Sequence, residues 1–261
     1  MATGFVSAAD PSVLDKLTLD VGNVAEHTIS VDEIASGTDP GIEYPVKAIV
    51  IKPTSGNSHT LYRPNDAGYA VDWDITALVS SSDSSIINTI YFYLSARKRD
   101  SDGARYTVDS QHVSRFRMAR YGNPTTAHRA TLGDITFDVD RGVFQWIRFQ
   151  VAGTTQRFRR WSPDEAEPST WDVEAADTFY QTPGVMGFGG FNDINSYRFI
   201  WVGWGTDGDL APTPTGSLDV SAEPFLLRHN PRTDKVIPVL SSPTVTDIGA
   251  NCVRPRVTKG F

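Results

Sequence analysis

"WIRFQVAGTTQRFRRWSPDEAEPSTWDVE", from Trp146 to Glu174, is the stretch that decides the fold. Ile147, Phe149 and Val151 alternate with Arg148 and Gln150, and a second alternating run follows "AGTT". A period of two over such a length belongs to half-buried β-strands. Gly153 can take a positive φ without steric cost, so the two runs are expected to close as a hairpin. An acidic loop follows, bounded by Trp161 and Trp171. The loop is either a ligand site or the corner of a β-sandwich.

Working outward, strand signals dominate. "VKAIVIKP" (Val46–Pro53) is an apolar run that stops at a proline. In "YAVDWDIT", Tyr69, Val71, Trp73 and Ile75 are expected on one face, with Ala70, Asp72, Asp74 and Thr76 opposite. In "TIYFYLSAR", Ile90, Phe92, Leu94 and Ala96 face the core, with Tyr91, Tyr93, Ser95 and Arg97 outward. "SRFRMARYG" sets Phe116 and Met118 against Arg115 and Arg117, and "GDITFDVD" points Ile135, Phe137 and Val139 inward. "GVMGFGGF" is glycine-rich in a way that suits a strand crowded by large neighbours. "SYRFIWVGWGTDG" reads as apolar on both faces, Tyr197, Phe199 and Trp201 against Ile200, Val202 and Trp204. Such a strand lies centrally or is covered on its outer side. There is no internal repeat and no helical periodicity beyond about two turns. Many short strands with turn signals between them give an all-β sandwich or jelly roll.

The chain has 261 residues, 39% hydrophobic, 21% charged and 11% aromatic, enough for one large all-β core. A net charge of -7 lacks the basic footprint of a general nucleic-acid binder. No apolar run approaches the ~20 residues that span a bilayer, so no membrane insertion is expected. Cys252 is the single cysteine, so no internal disulfide can form. "ATGFVSAADPSVLDK" after Met1 lacks a basic and an apolar leader region. The expectation is synthesis in a host cytoplasm without secretion by a signal peptide. Pro212, Pro214 and Gly216 mark a change of texture. The expected division is an N-terminal arm or edge strand (1–40), a sandwich (41–212) and a C-terminal arm (213–261) docking on its own or a neighbouring chain.

Taken in order, Trp146 and Arg148, the turn Gly153 to Thr155, Trp161, Glu167-Pro168 with Trp171, and Gly205 to Gly208 form a succession over roughly half the chain. This succession resembles the laminin-G-like, concanavalin-A-type sandwich of bacteriophage minor tail and other virion proteins. The resemblance implies a concanavalin A-like jelly roll and a structural protein of the virion, in the tail, a fibre or the capsid surface. Other virion proteins and copies of itself would be its partners. One departure stands out. Gln156 and Arg160 share the expected inner face with Phe158, which is costly unless they are paired. That places the strand at a rim or against a partner.

Several residues are candidates for function. Asp164, Glu165 and Glu167 of the acidic loop are oxygen donors for calcium, although the spacing of a calcium loop is missing. The other reading is a solvated corner in which Trp161 and Trp171 pack on each other or on Pro168. Asp193, with Asn192 and Asn195, offers a second calcium or sugar position at the rim, or a plain hairpin turn. Tyr91, Tyr93, Trp161 and Trp171 are candidate platforms for sugar rings, or are covered by a neighbouring segment. Arg115, Arg117, Arg157 and Arg159 would form a basic stripe if their strands adjoin, or a solvated face with acidic cross-strand partners.

Catalytic patterns are absent. No Glu-x-Asp-x-x-Glu strand, Gly-x-Ser-x-Gly or phosphate loop occurs, and His27, His59, His112, His128 and His229 are scattered. The expectation is a protein that is not an enzyme and needs no cofactor. Its first reading is a virion component. The alternative is a lectin or adhesin module for host-surface carbohydrate.

Overall fold

The structure is a computed structural model that describes residues 3–22, 24–37, 39–54, 59–81, 91–101, 103–110, 115–122, 129–136, 142–191, 196–214, 226–230 and 235–239. In chain order the strands begin with β1 (Thr3–Ser7), β2 (Leu17–Val21), β3 (His27–Ile34), β4 (Val46–Pro53), β5 (His59–Pro64) and β6 (Trp73–Ser81). They continue with β7 (Tyr91–Lys98), β8 (Arg105–Ser110), β9 (Arg115–Tyr121), β10 (Arg129–Thr136), β11 (Gln145–Ala152) and β12 (Thr155–Trp161). The last are β13 (Val173–Ala176), β14 (Val185–Phe191), β15 (Tyr197–Thr206), β16 (Leu226–Asn230) and β17 (Lys235–Val239). Among the described residues no helix is long and apolar enough to cross a membrane.

Two antiparallel sheets make the sandwich. The eight-stranded sheet runs β13-β12-β11-β6-β15-β4-β3, with β1 also on β15, and the seven-stranded sheet runs β10-β9-β8-β7-β14-β5-β2. The expected all-β sandwich is therefore what this chain forms. Ile75, Ile147, Phe149 and Phe158 face Leu94, Tyr106, Met118 and Phe188 in one continuous buried core. Side chains of this size each gain about 1.5–3 kcal/mol by leaving water.

The hairpin expected from the opening stretch forms with Ala152 opposite Thr155, and Gly153 at its turn has a φ of 54°. Crowding explains the glycine-rich β14. A Cβ on Gly190 would overlap the ring of Tyr197, so a larger residue there forces the facing strand away.

Some faces differ from the simple alternation. β15 is both central and covered, but its register on β6 shifts between Phe199 and Trp201. This bulge inserts one residue and reverses the parity downstream. Tyr197, Phe199, Val202 and Trp204 therefore point into the main core, while Ile200 and Trp201 join a second apolar cluster on the outer face. Tyr69 lies before β6 and is exposed. Phe137, Val139 and Ile90 fall outside the described residues.

Residues 1–40 supply β1, β2 and β3, which pair with β15, β5 and β4. The chain divides into two compact units, Met1–Ala222 and Glu223–Phe261, and the second contains the two-stranded sheet β16-β17.

Candidate functional site

On β11, Ile147, Phe149 and Val151 face the core. The residues between them, Trp146, Arg148 and Gln150, stand on the outer face of the eight-stranded sheet. Register places Trp161, Arg159 and Arg157 of β12 directly opposite these three.

The tryptophan pair is a stack, with centroids 6.0 Å apart and planes 13° from parallel. Together with Leu78, Ile200 and Trp201 it belongs to the outer apolar cluster, and Phe5 of β1 stacks on Trp201 at 4.1 Å. Beside the stack is a pocket of about 450 Å³. Its walls are the two indoles, the acidic loop with Asp164, Glu165 and Glu167, and Gly41 and Pro214 from distant parts of the chain.

These distant walls are tied down. The loop carrying Gly41 is anchored where Asp39 accepts the N–H of Phe144 at 2.7 Å. The stretch leading to Pro214 lies on β15, where a Cβ on Gly203 would sit 2.6 Å from the carbonyl oxygen of Pro212. Trp201 donates to that same oxygen at 3.2 Å. One residue back, the N–H of Ala211 donates to Asp74 at 3.1 Å, and its carbonyl accepts from Arg148 at 3.1 Å.

Next to the pocket the outer face becomes a ladder of charge. Arg148 is buried, lies 3.6 Å from Asp74 and 3.0 Å from Glu167, and donates to the Thr76 hydroxyl at 3.1 Å. Arg159 donates to Glu167 at 2.8 Å. Gln150 donates to Asp74 at 2.8 Å and accepts from Arg157 at 2.7 Å, and Arg157 reaches Glu174 at 3.3 Å. Burial raises the pKa of Asp74, against the opposing pull of the Arg148 charge and of the bonds from Ala211 and Gln150.

The candidates from the sequence scatter. Trp161 lines the pocket, but its partner is Trp146 and not Trp171. Trp171 lies under the guanidinium groups of Arg157 and Arg159, at 4.4 and 4.2 Å, so the expected packing of the two loop tryptophans is corrected. Tyr93 is no exposed platform. It is fully buried and edge-on to Tyr121 at 6.0 Å, on a sheet face that is itself covered. Tyr91 belongs to β7, and its side chain lies outside the described residues.

The four arginines form no single stripe. Arg115 and Arg117 are on β9 of the seven-stranded sheet, whereas Arg157 and Arg159 are on β12 of the eight-stranded one. Each has an acidic partner: Asp134 for Arg115, Asp109 for Arg117 at 2.7 Å, Glu174 for Arg157 and Glu167 for Arg159. Gln156 and Phe158 are fully buried, and the Gln156 amide donates to the carbonyl of Asp177 at 3.3 Å.

Among the described residues no group of three acidic, histidine or cysteine side chains is placed to hold a metal. Glu167 is turned to arginines, and Asp164 and Glu165 both bond to Ser162. Asp193, Asn192 and Asn195 fall outside the described residues. The sequence reading did not single out Trp146, Gly41, Pro214 or Asp74 as site residues. Only the alternation of β11, which puts Trp146 on the face of Arg148, hints at the first.

No protein-family model matches the chain, and no curated protein sequence matches it. Solved structures resemble it in fold. The carbohydrate-binding module CBM66 of Bacillus subtilis is 11% identical with a TM-score of 0.47, covering 71% of this chain and 94% of its own. The carbohydrate recognition domain of Emp46p, metal-free, is 10% identical with a TM-score of 0.49, covering 75% and 90%. A native glycosidic hydrolase is 12% identical with a TM-score of 0.47, covering 81% and 98%.

Proposed function

We propose that this chain is a non-catalytic glycan-binding module whose sugar seats in the Trp146–Trp161 pocket. One observation carries the reading: a pocket of about 450 Å³ joins a stacked indole pair to open carboxylates. The C–H face of a pyranose packs on an aromatic ring, while its hydroxyls donate to carboxylate oxygens. The fixed polar groups of the pocket, Asp164, Glu165, Glu167 and Thr213, then set orientation.

The carboxylates argue against hydrolysis. Asp164, Glu165 and Glu167 all come from one loop on one side of the pocket. A glycosidase needs two carboxyl groups on opposite sides of the scissile bond. Glu167 is also held by Arg148 and Arg159, which fits a support better than a proton donor.

The test is a glycan array followed by titration of the best ligands. Ala166, exposed at the pocket, is the position to block. Ala166→Trp should fill the space without touching the core and weaken binding at least tenfold, about 1.4 kcal/mol. An array without any bound glycan, or full affinity in Ala166→Trp, overturns the proposal.

A second reading is a virion component assembling through terminal arms. Immunogold labelling of particles tests this reading, and absence of label on any particle removes it.

A further inference from the structure

We propose that the Trp146–Trp161 pocket selects a sugar carrying a protonated amine and rejects sugar acids. The inference rests on the glycan reading above and names the class of sugar.

The pocket combines two features that attract the same chemistry. Among the described residues, the charged side chains lining it are Asp164, Glu165 and Glu167, with no lysine, arginine or histidine. Glu167 is already answered by Arg148 and Arg159. Asp164 and Glu165 are not held in this way. Both are exposed, and the described partner of each is Ser162, through its hydroxyl for Asp164 and its N–H at 3.4 Å for Glu165. Glu165 stabilises the charged guanidinium of Arg160 electrostatically. Asp164 is left with no cationic partner among the described residues.

The indoles supply the second feature. Trp146 and Trp161 lie nearly parallel beside the carboxylates, and both line the pocket. Each indole is only 6% exposed, so the pocket meets ring edges that offer apolar contact. An acidic loop alone attracts any cation. An acidic loop beside an indole wall favours a cation attached to a ring that can also pack on the wall.

Three kinds of sugar are thereby ranked. An amino sugar gains charge pairing and apolar contact with the indole edges together. An N-acetylated or plain neutral sugar keeps the packing and the hydroxyl bonds but loses the charge. A uronic acid meets the uncompensated carboxylate of Asp164 with Glu165 beside it and is repelled, as like charges brought together at an interface are.

The experiment is calorimetric titration of the whole chain with a β-1,4-linked glucosamine hexamer, its fully N-acetylated counterpart and a galacturonic acid hexamer. At about pH 6 the amines are charged, taking the α-amino range of roughly 7.7–8.0 as a guide. The glucosamine hexamer should bind at least about tenfold more tightly than the N-acetylated one, with an advantage that shrinks as salt is added. The galacturonate should show no binding. Asp164→Asn combined with Glu165→Gln should remove the advantage, so that the glucosamine and N-acetylated hexamers bind alike.

Equal or tighter binding of the N-acetylated hexamer overturns the inference and leaves the glycan reading standing. Unchanged preference in the double variant also overturns it, since the attraction would then come from the overall charge of -7. Failure of every hexamer together with an empty array overturns both.

Discussion

Three cross-strand pairs stand in a row on the outer face of β11 and β12, and they differ in kind. Trp146 faces Trp161, Arg148 faces Arg159, and Gln150 faces Arg157. At the arginine end, the polar groups named above are answered from within: Glu167 bridges two guanidinium groups, Gln150 links Asp74 to Arg157, and Arg157 meets Glu174. At the tryptophan end the apolar pair is covered on one side and borders a pocket on the other, beside two exposed carboxylates. The same two strands therefore build a closed end and an open one. Polar groups consumed by structure have no valence left for a ligand, whereas Asp164 and Glu165 at the open end are exposed and keep acceptor capacity beyond their bonds to Ser162.

Breaking the closed end should cost most. Arg148→Met leaves Asp74 buried without its arginine, and removing one partner of a buried pair costs about 3–5 kcal/mol. Urea unfolding would show this as a lower midpoint. A loss below about 1 kcal/mol would mean that the ladder contributes little to the fold.

At the open end, Trp161→Ala should cost about 3 kcal/mol, the lower bound for truncating a buried large aromatic, because one edge already meets the pocket. Thermal melting should show it, and it should fall short of the Arg148 change.

Asp74 sharpens the contrast through pH. Its folded pKa is raised, chiefly by burial. A carboxyl of this kind holds its proton more firmly in the folded state than in the unfolded one. Its contribution is complete below the unfolded value and is lost as pH rises through the raised folded value. Asp74→Asn keeps acceptors for Ala211 and Gln150 without that titration. At about pH 7 it should lie within about 1 kcal/mol of the parent, and the parent should gain on it as the pH falls to about 4. Urea midpoints of the two proteins across that range would check the sign, and a gain in the opposite direction would refute the account.

The smallest effect belongs to Arg157→Gln. This arginine is a third exposed and its partner Glu174 about half exposed, so the loss should be about 0.5 kcal/mol or less and should shrink with salt. Thermal melts at low and high ionic strength would measure it.

Much of this was legible in the sequence because the side-chain period of a strand is local. Phe116 and Met118 inward, Arg115 and Arg117 outward, and the hairpin at Gly153 all follow from neighbours along the chain. The bulge in β15 was not legible, since one inserted residue reverses the faces without a change in composition. Tyr93 was misjudged for a related reason: alternation reports which face a residue takes, not whether that face is covered.

The candidate site was legible in part. The acidic loop and Trp161 stand together in sequence. Trp146, Gly41 and Pro214 reach the pocket by register and by chain crossings over long separations, which no local pattern encodes.

The pairing of β1 with β15 has a consequence for biogenesis. Thr3 lies opposite Gly205, and Ser7 opposite Trp201, so strands far apart along the chain are hydrogen-bonded to each other. Contacts at such separation are slow to form, because the loop they close must be ordered before they repay it. A chain emerging from a ribosome at about 5–20 residues per second holds β1 without its partner until β15 has emerged. Its edge is exposed for that interval, which leaves β1 open to wrong pairing during synthesis.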